Sequence, residues 1–302
     1  MRGVTSEAPI QSTESIGDHR PALVLVSTPI GNLGDLSPRA VAALRESDII
    51  LCEDTRVTAP LLALNGIGTR LQALHDHNEA GLTEPLIAAM RGGRRFALVS
   101  DAGAPLIADP GFRLVRAAIA AGVTISAVPG PNAAMMALAL SGLPPHPFLF
   151  MGFLPPRSAA RRAVLERVAN AERAGLNATL IFYEAPHRLI ASLDDCAAVL
   201  GNRAAAVGRE LTKRFEEIRR DGLEGLAAHF RTTAPRGEIT LVIGPAPDYV
   251  ATDAELDDAL HDALETMSIK DAATSVARAL DLPRKQVYAR ALSLRQDEQS
   301  EP

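Results

Sequence analysis

From residue 22 onward, short runs of β-branched and apolar residues alternate with stretches of helical periodicity, which confines the chain to strands joined by crossover helices. The first half reads as strands at Leu23–Ser27, Ile49–Cys52, Phe96–Ser100 and Thr124–Val128, with helices over 38–46, 55–64, 110–121 and 132–141. Strands separated by a helix pair most readily in parallel, so a mainly parallel sheet covered by helices is predicted. Leu143-Pro-Pro-His-Pro147 cannot continue a helix, because proline lacks the amide donor and clashes with the preceding turn; it reads as a linker. The pattern then restarts with strands at Phe148–Phe153, Ala178–Tyr183, Ala204–Gly208 and Glu238–Ile243, and helices over 158–174, 186–200 and 221–230. Two α/β domains are expected, over residues 21–143 and 148–246.

The ends differ from the body. Residues 1–20 lack apolar periodicity and the apolar stretch of a secretory signal, and read as a disordered tail. Over 252–296 a small helical module is predicted. Asp253–Met267 carries six acids and no Lys or Arg, Ser268 and Asp271 form a capping box, and Pro283 opens a last helix that holds four basic residues up to Arg295. This pattern resembles a helix-turn-helix module, although a packing or dimerising appendage has the same pattern.

Composition narrows the function. The 302 residues exceed one core of about 150. Hydrophobic residues at 47% and charged residues at 22% exclude disordered, collagen-like and disulfide-scaffold chains. No apolar run approaches the roughly 20 residues that cross a bilayer. Two cysteines, Cys52 and Cys196, suit a reducing, cytoplasmic setting. A formal charge of −5 means that any nucleic-acid contact must rest on local basic clusters.

Chemistry concentrates at strand ends. Ser100-Asp-Ala-Gly-Ala-Pro-Leu-Ile-Ala-Asp-Pro-Gly111 leaves a buried strand and opens a helix, with glycines that let backbone approach a ligand and with the carboxylates of Asp101 and Asp109. Thr28-Pro-Ile-Gly-Asn-Leu-Gly-Asp35, Cys52-Glu-Asp-Thr-Arg56 and Val128-Pro-Gly-Pro-Asn-Ala133 occupy three more strand ends, which converge if the sheet is parallel. The second half adds Phe182-Tyr-Glu-Ala-Pro-His-Arg188, Gly208-Arg-Glu-Leu-Thr-Lys-Arg214 and Arg236-Gly-Glu-Ile239. No G-x-G-x-x-G and no P-loop occurs, so those nucleotide sites lack support, and no metal site is expected. Basic residues at Arg157, Arg161, Arg162, Arg209, Arg214, Arg284 and Lys285 are expected to contact RNA phosphates.

Taken in order, TPIGNLGD, CEDTR, SDAGAPLIADPG, PGPNA, FYEAPHR, GRELTK and RGE resemble the ribosomal RNA small-subunit methyltransferase I family, cytidine 2′-O-methyltransferases of the tetrapyrrole-methylase-like superfamily. The likeness spans about residues 22–245. It implies an α/β fold of two unlike domains with S-adenosylmethionine in the cleft between them, a homodimer, and ribosomal RNA or the small ribosomal subunit as partner. Carried over by motif, Pro29, Asp101, Gly103, Ala104, Pro105, Ile107, Asn132, Ala133, Tyr183, Leu211 and Gly237 are expected to hold the cofactor. A proton acceptor for the ribose hydroxyl is required, and Glu184, Glu53, a deprotonated Lys213 and His187 are the candidates. Two rival readings are a tetrapyrrole C-methyltransferase and a ligand-sensing helix-turn-helix protein that binds nucleic acid.

Overall fold

The computed structural model describes residues 20–247, 253–280 and 282–300. The expected tail therefore lies, up to residue 19, outside the described residues. The chain divides into one unit ending at Pro245 and another beginning at Ala246.

The first unit holds two five-stranded sheets. β1 (Leu23–Val26), α1 (Pro38–Glu46), β2 (Ile49–Cys52), α2 (Thr55–Leu64), β3 (Arg70–Ala73), α3 (Glu79–Arg91), β4 (Phe96–Val99), α4 (Phe112–Ala120), β5 (Ile125–Val128) and α5 (Ala133–Ser141) follow one another. The strand order is β3-β2-β4-β1-β5, parallel throughout. Buried apolar side chains pack against both faces, Leu51, Phe96 and Leu114 on one and Val26, Leu44 and Ile50 on the other, as a parallel sheet requires. All the strands' carboxyl ends thus open on one edge.

The second sheet comprises β6 (Phe148–Phe153), β7 (Thr179–Glu184), β8 (Ala204–Arg209), β9 (Glu217–Gly222) and β10 (Ile239–Ile243), with α6 (Ser158–Arg173), α7 (Leu189–Leu200) and α8 (Leu223–Thr232) between them. Its order is β6-β7-β10-β8-β9, and only β6 and β7 pair in parallel. Leu165, Leu193 and Phe230 from the helices meet Phe182 and Leu241 on one face. The other face receives α5, whose Ala134, Ala137 and Leu138 pack on Ile181, Ala206 and Val242. A helix apolar on nearly every side, AAMMALALS, is what such burial demands. Helix α5 therefore fixes the two sheets against each other.

Sequence periodicity missed β3, α3 and β9. β3 and β9 are half-exposed edge strands with charged residues, RLQA and EIRRDG, so the apolar signal of a buried strand is absent. The expected helix over 221–230 instead begins at Leu223, after β9.

The second unit is a three-helix cluster of α9 (Asp253–Leu264), α10 (Ile269–Ala279) and α11 (Arg284–Ser300), packed through Leu256, Leu260, Val276, Val287 and Ala291. Ser268 Oγ accepts the Asp271 amide at 3.2 Å, which caps α10, and its hydroxyl donates to the Asp271 carboxylate.

Candidate active site

Loops from the two sheets meet at the carboxyl edge of the parallel one. The segment after β1 is clamped to the segment after β4: Thr28 and Gly103 exchange backbone hydrogen bonds of 2.9 and 3.1 Å, and the Thr28 hydroxyl donates to the Ser100 carbonyl. The Asp54 amide, at the end of β2, donates to Asp101 Oδ1 at 3.1 Å and draws in a third loop. Gly31 closes against the second sheet's loop so tightly that a Cβ there would collide with the Lys213 side chain.

Among the described residues, four non-glycine residues have left-handed backbone: Leu106 (φ 72), Ala108 (φ 71), Glu210 (φ 51) and Thr212 (φ 65). Each costs about 1–3 kcal/mol unless its surroundings enforce it, and such strain gathers at functional sites. All four lie in the two loops that face one another across a cavity.

That cavity measures about 400 Å³, within the range of small-molecule sites. Its walls include Ile30, Asp101, Gly103, Ala104, Ile107, Asp109, Asn132 and Ala133 from the first sheet's loops, and Phe153, Tyr183, Leu211, Gly237, Glu238 and Thr240 from the second's. Of the residues expected to hold a cofactor, Asp101, Gly103, Ala104, Ile107, Asn132, Ala133, Tyr183, Leu211 and Gly237 are brought together here. Pro29 and Pro105 are not on the wall; both are buried behind it, and Ile30 takes the surface place next to Pro29.

Tyr183 packs edge-to-face with Phe150 and at a tilt with Phe153, ring centroids 5.0 and 5.6 Å away. Burial pushes its phenol pKa up, Asp109 and Glu238 add to this, and the Ala134 amide at the start of α5 opposes it by donating to the hydroxyl. Asp109 is raised to about 6, chiefly by burial and then by the charge of Glu53, against a hydrogen bond from Ser100. No Lys, Arg or His lines this cavity among the described residues, so its formal charge is all negative.

A recess of about 410 Å³ adjoins it through the shared Asp101, lined by Glu53, Asp54, Thr55, Arg56, Ala73 and His75. Partial desolvation and then Asp101 raise the Glu53 pKa there.

Three expectations for the site are corrected. Glu184 lies on the cavity wall, but its carboxylate is fully buried, paired with Arg188 at 2.6 Å and hydrogen-bonded by Ser192 and the Ala185 amide, so its oxygens are already engaged. Lys213 is no base either: its Nζ lies 3.0 Å from both Glu210 and Glu238, and these carboxylates outweigh burial to hold its pKa above the usual value. Arg161 leaves the expected RNA rim, since its side chain is 3% exposed and bonded to Asp195 of α7. Arg162 shares that carboxylate but stays half-exposed, and Arg209 is paired with Glu217. Arg157 and Arg214 are exposed in the first unit, as are Arg284 and Lys285 in the second. His187 is exposed in a short turn and does not line the cavity.

Sequence reasoning missed Glu210 and Glu238. The Glu210 carboxylate accepts from the Glu238 amide and from Lys213, tying the loop after β8 to the start of β10. Only the proximity of two acidic motifs in the fold reveals this tie.

Residues 22–227 match the family of tetrapyrrole (corrin/porphyrin) methylases, and residues 250–295 match the RsmI C-terminal HTH domain. A ribosomal RNA small subunit methyltransferase I of Mesorhizobium japonicum is 44% identical over 277 residues, covering 91% of this chain and 92% of the relative. One from Erythrobacter litoralis is 47% identical over 275 residues, 91% and 96% of the two chains. Among solved structures, a uroporphyrin-III-C-methyltransferase from Thermus thermophilus matches with a TM-score of 0.51 at 23% identity, over 74% of this chain and 94% of that one; this likeness shows the fold.

Proposed function

Because this chain belongs to the tetrapyrrole methylase family, and to its ribosomal RNA small-subunit methyltransferase I branch, we propose that it methylates a ribose 2′-hydroxyl of a cytidine in small-subunit ribosomal RNA with S-adenosylmethionine as donor. The observation that carries this reading is the all-negative cavity built by loops of both sheets. A donor bearing a sulfonium and an ammonium suits the carboxylate at Asp101, while apolar walls at Ile30, Ala104, Ala133 and Leu211 suit its adenosyl and thioether parts. The cofactor residues proposed are the nine expected ones on that wall, with Ile30 in the place of Pro29.

When bound, S-adenosylmethionine supplies an electrophilic methyl group and leaves as a neutral thioether. The chain's own part is alignment and exclusion of water: two strained loops, tied by Glu210 and by the Thr28–Gly103 bridge, hold the walls in place before ligand arrives. Arg157, Arg162, Arg209, Arg214, Arg284 and Lys285 are proposed to meet phosphates, Arg162 and Arg209 with their remaining donors. No helix among the described residues is long and apolar enough to cross a membrane; action in the cytoplasm is part of the reading because the proposed substrate is ribosomal RNA. A homodimer is part of the reading, supported by Phe112 and Ile119, two turns apart on α4 and each more than 60% exposed.

Among the described residues a polyanionic tetrapyrrole finds no Lys, Arg or His on the cavity wall, and in the recess His75 and Arg56, the latter already paired with Asp54. The deciding experiment is mass spectrometry of small-subunit ribosomal RNA from cells with and without this chain, followed by restoration with purified protein and donor. A 2′-O-methylcytidine that vanishes and returns supports the reading; an unchanged ribosomal RNA overturns it.

A further inference from the structure

A ribose 2′-hydroxyl keeps its proton at neutral pH and attacks poorly until an acceptor takes it. Glu184 and Lys213 are consumed by their ion pairs, His187 stands off the cavity, and Glu53 belongs to the adjoining recess. The other carboxylates on the wall are Asp101, Asp109 and Glu238. Asp101 commits an oxygen to the Asp54 amide, and Glu238 is paired with Lys213 and largely solvated. Asp109 has no ion-pair partner among the described residues, and the Ser100 hydroxyl near it donates to the Gly103 carbonyl at 3.3 Å. Its backbone is set by the left-handed Ala108 immediately before it and by Gly111 two positions after, a placement that the loop sustains at a conformational cost.

We infer, on the reading above, that Asp109 is the catalytic residue that accepts the 2′-hydroxyl proton, the sugar entering from the recess that shares Asp101 with the cavity. A lone pair of the 2′-oxygen forms the new O–CH₃ bond, and the electrons of the broken O–H bond stay on that oxygen. The donor sulfur keeps the pair of the bond it loses, and the proton passes to an Asp109 oxygen and then to water. The surroundings suit the task. Burial, Glu53 from the end of β2 and Asp101 from the end of β4 all strengthen the carboxylate as a base, Ser100 moderates it, and Tyr183 faces it from β7. A base of this strength is still ionised near neutrality, where a proton acceptor works best.

The test compares wild type, Asp109→Asn and Asp109→Glu on small ribosomal subunits from cells lacking this chain. Asparagine keeps the size and polarity but not the basicity, so kcat should fall by about 100-fold or more, with cofactor Kd within about threefold by calorimetry, and the acid limb of the wild-type kcat profile should disappear. In the free protein, an infrared carboxyl band titrating near pH 6 should be present in wild type and missing from Asp109→Asn. Asp109→Glu should retain a shifted acid limb, which separates chemistry from misfolding. Asp109→Asn with kcat within threefold of wild type, or with cofactor affinity lost in parallel with rate, overturns the inference. A wild-type protein that transfers no methyl overturns instead the function on which it rests, and leaves the infrared titration to judge Asp109.

Discussion

The backbone amide of Asn32 donates to the hydroxyl of Thr212 at 3.0 Å, joining the loop after β1 to the loop after β8 across 180 positions of chain. Both groups reach solvent, so water replaces the bond when the folded chain loses it, and little global stability is at stake. The bond instead holds a left-handed residue beside the cavity wall at Leu211. Thr212→Val keeps the shape and deletes the acceptor. We expect unfolding free energy to change by less than about 1 kcal/mol while cofactor Kd rises about fivefold, the equivalent of one such bond. Calorimetric titration beside denaturant unfolding checks the split; equal effects on both would refute it.

Arg161 and Arg162 are neighbours in sequence with opposite fates. One lies under α7 with Asp195, the other at its margin. Removing Arg161 deprives a buried carboxylate of its nearest cation, which should cost about 3 kcal/mol of stability, whereas Arg162→Ala should cost well under half of that. Burial pushes the Asp195 pKa up, but hydrogen bonds from Arg162, Ser158 and Arg161 overcome this and hold it below the usual value. A depressed carboxylate stabilises the fold above its unfolded pKa, so the excess stability of wild type over Arg161→Ala should shrink as pH falls below about 4. Urea unfolding at pH 7 and pH 3 measures both statements.

This pair also marks where the sequence is legible and where it is not. Strand and helix alternation identified β2 and β4, which are buried throughout, and β1 and β5, whose apolar residues mark them although β5 is a partly exposed edge, and the glycine-rich segments stood out as loops because their backbone needs leave few alternatives. The charged edges β3 and β9 carry no such mark. The side on which a helical arginine falls depends on what packs against the helix, and RR at 161 and 162 reads identically whether one, both or neither is buried. Glu184 was singled out for its company in FYEAPHR, yet Arg188 and Ser192, which disarm it, lie one and two turns further along the chain and are recruited only by the fold.

Glu184 accordingly should behave as a structural acid. Its carboxylate is inaccessible and faces a partly buried guanidinium, so Glu184→Gln leaves Arg188 without its counter-charge and should destabilise the protein by about 3–5 kcal/mol. At temperatures where the variant remains folded, kcat should keep the wild-type pH profile, because the titrating acceptor is elsewhere. Thermal unfolding and rate profiles measured on the same samples decide this; an acid limb lost with stability intact would return Glu184 to the chemistry.

Asp109 should leave a signature in stability that is independent of any ligand. Burial first, then Glu53, raise its pKa from 3.8 to about 6 in the folded chain, with Asp101 adding to the shift. Below pH 4 the group is protonated in folded and unfolded chains alike, and it contributes nothing. Between pH 4 and 6 the folded chain binds the extra proton, so stability declines as pH rises, and above pH 6 the full cost of ionising it in place persists. Two pH units correspond to about 3 kcal/mol at most, and screening at the open mouth of the cavity reduces this to the order of 1 kcal/mol. Asp109→Asn should therefore be more stable than wild type at pH 8 by that amount and indistinguishable at pH 3.5, with Asp101→Ala as the control that loses the acceptor of the Asp54 amide. Denaturant midpoints across this range test the sign. A variant less stable than wild type at pH 8 would mean that the carboxylate is held by attraction, and the strained loop around it would need another explanation.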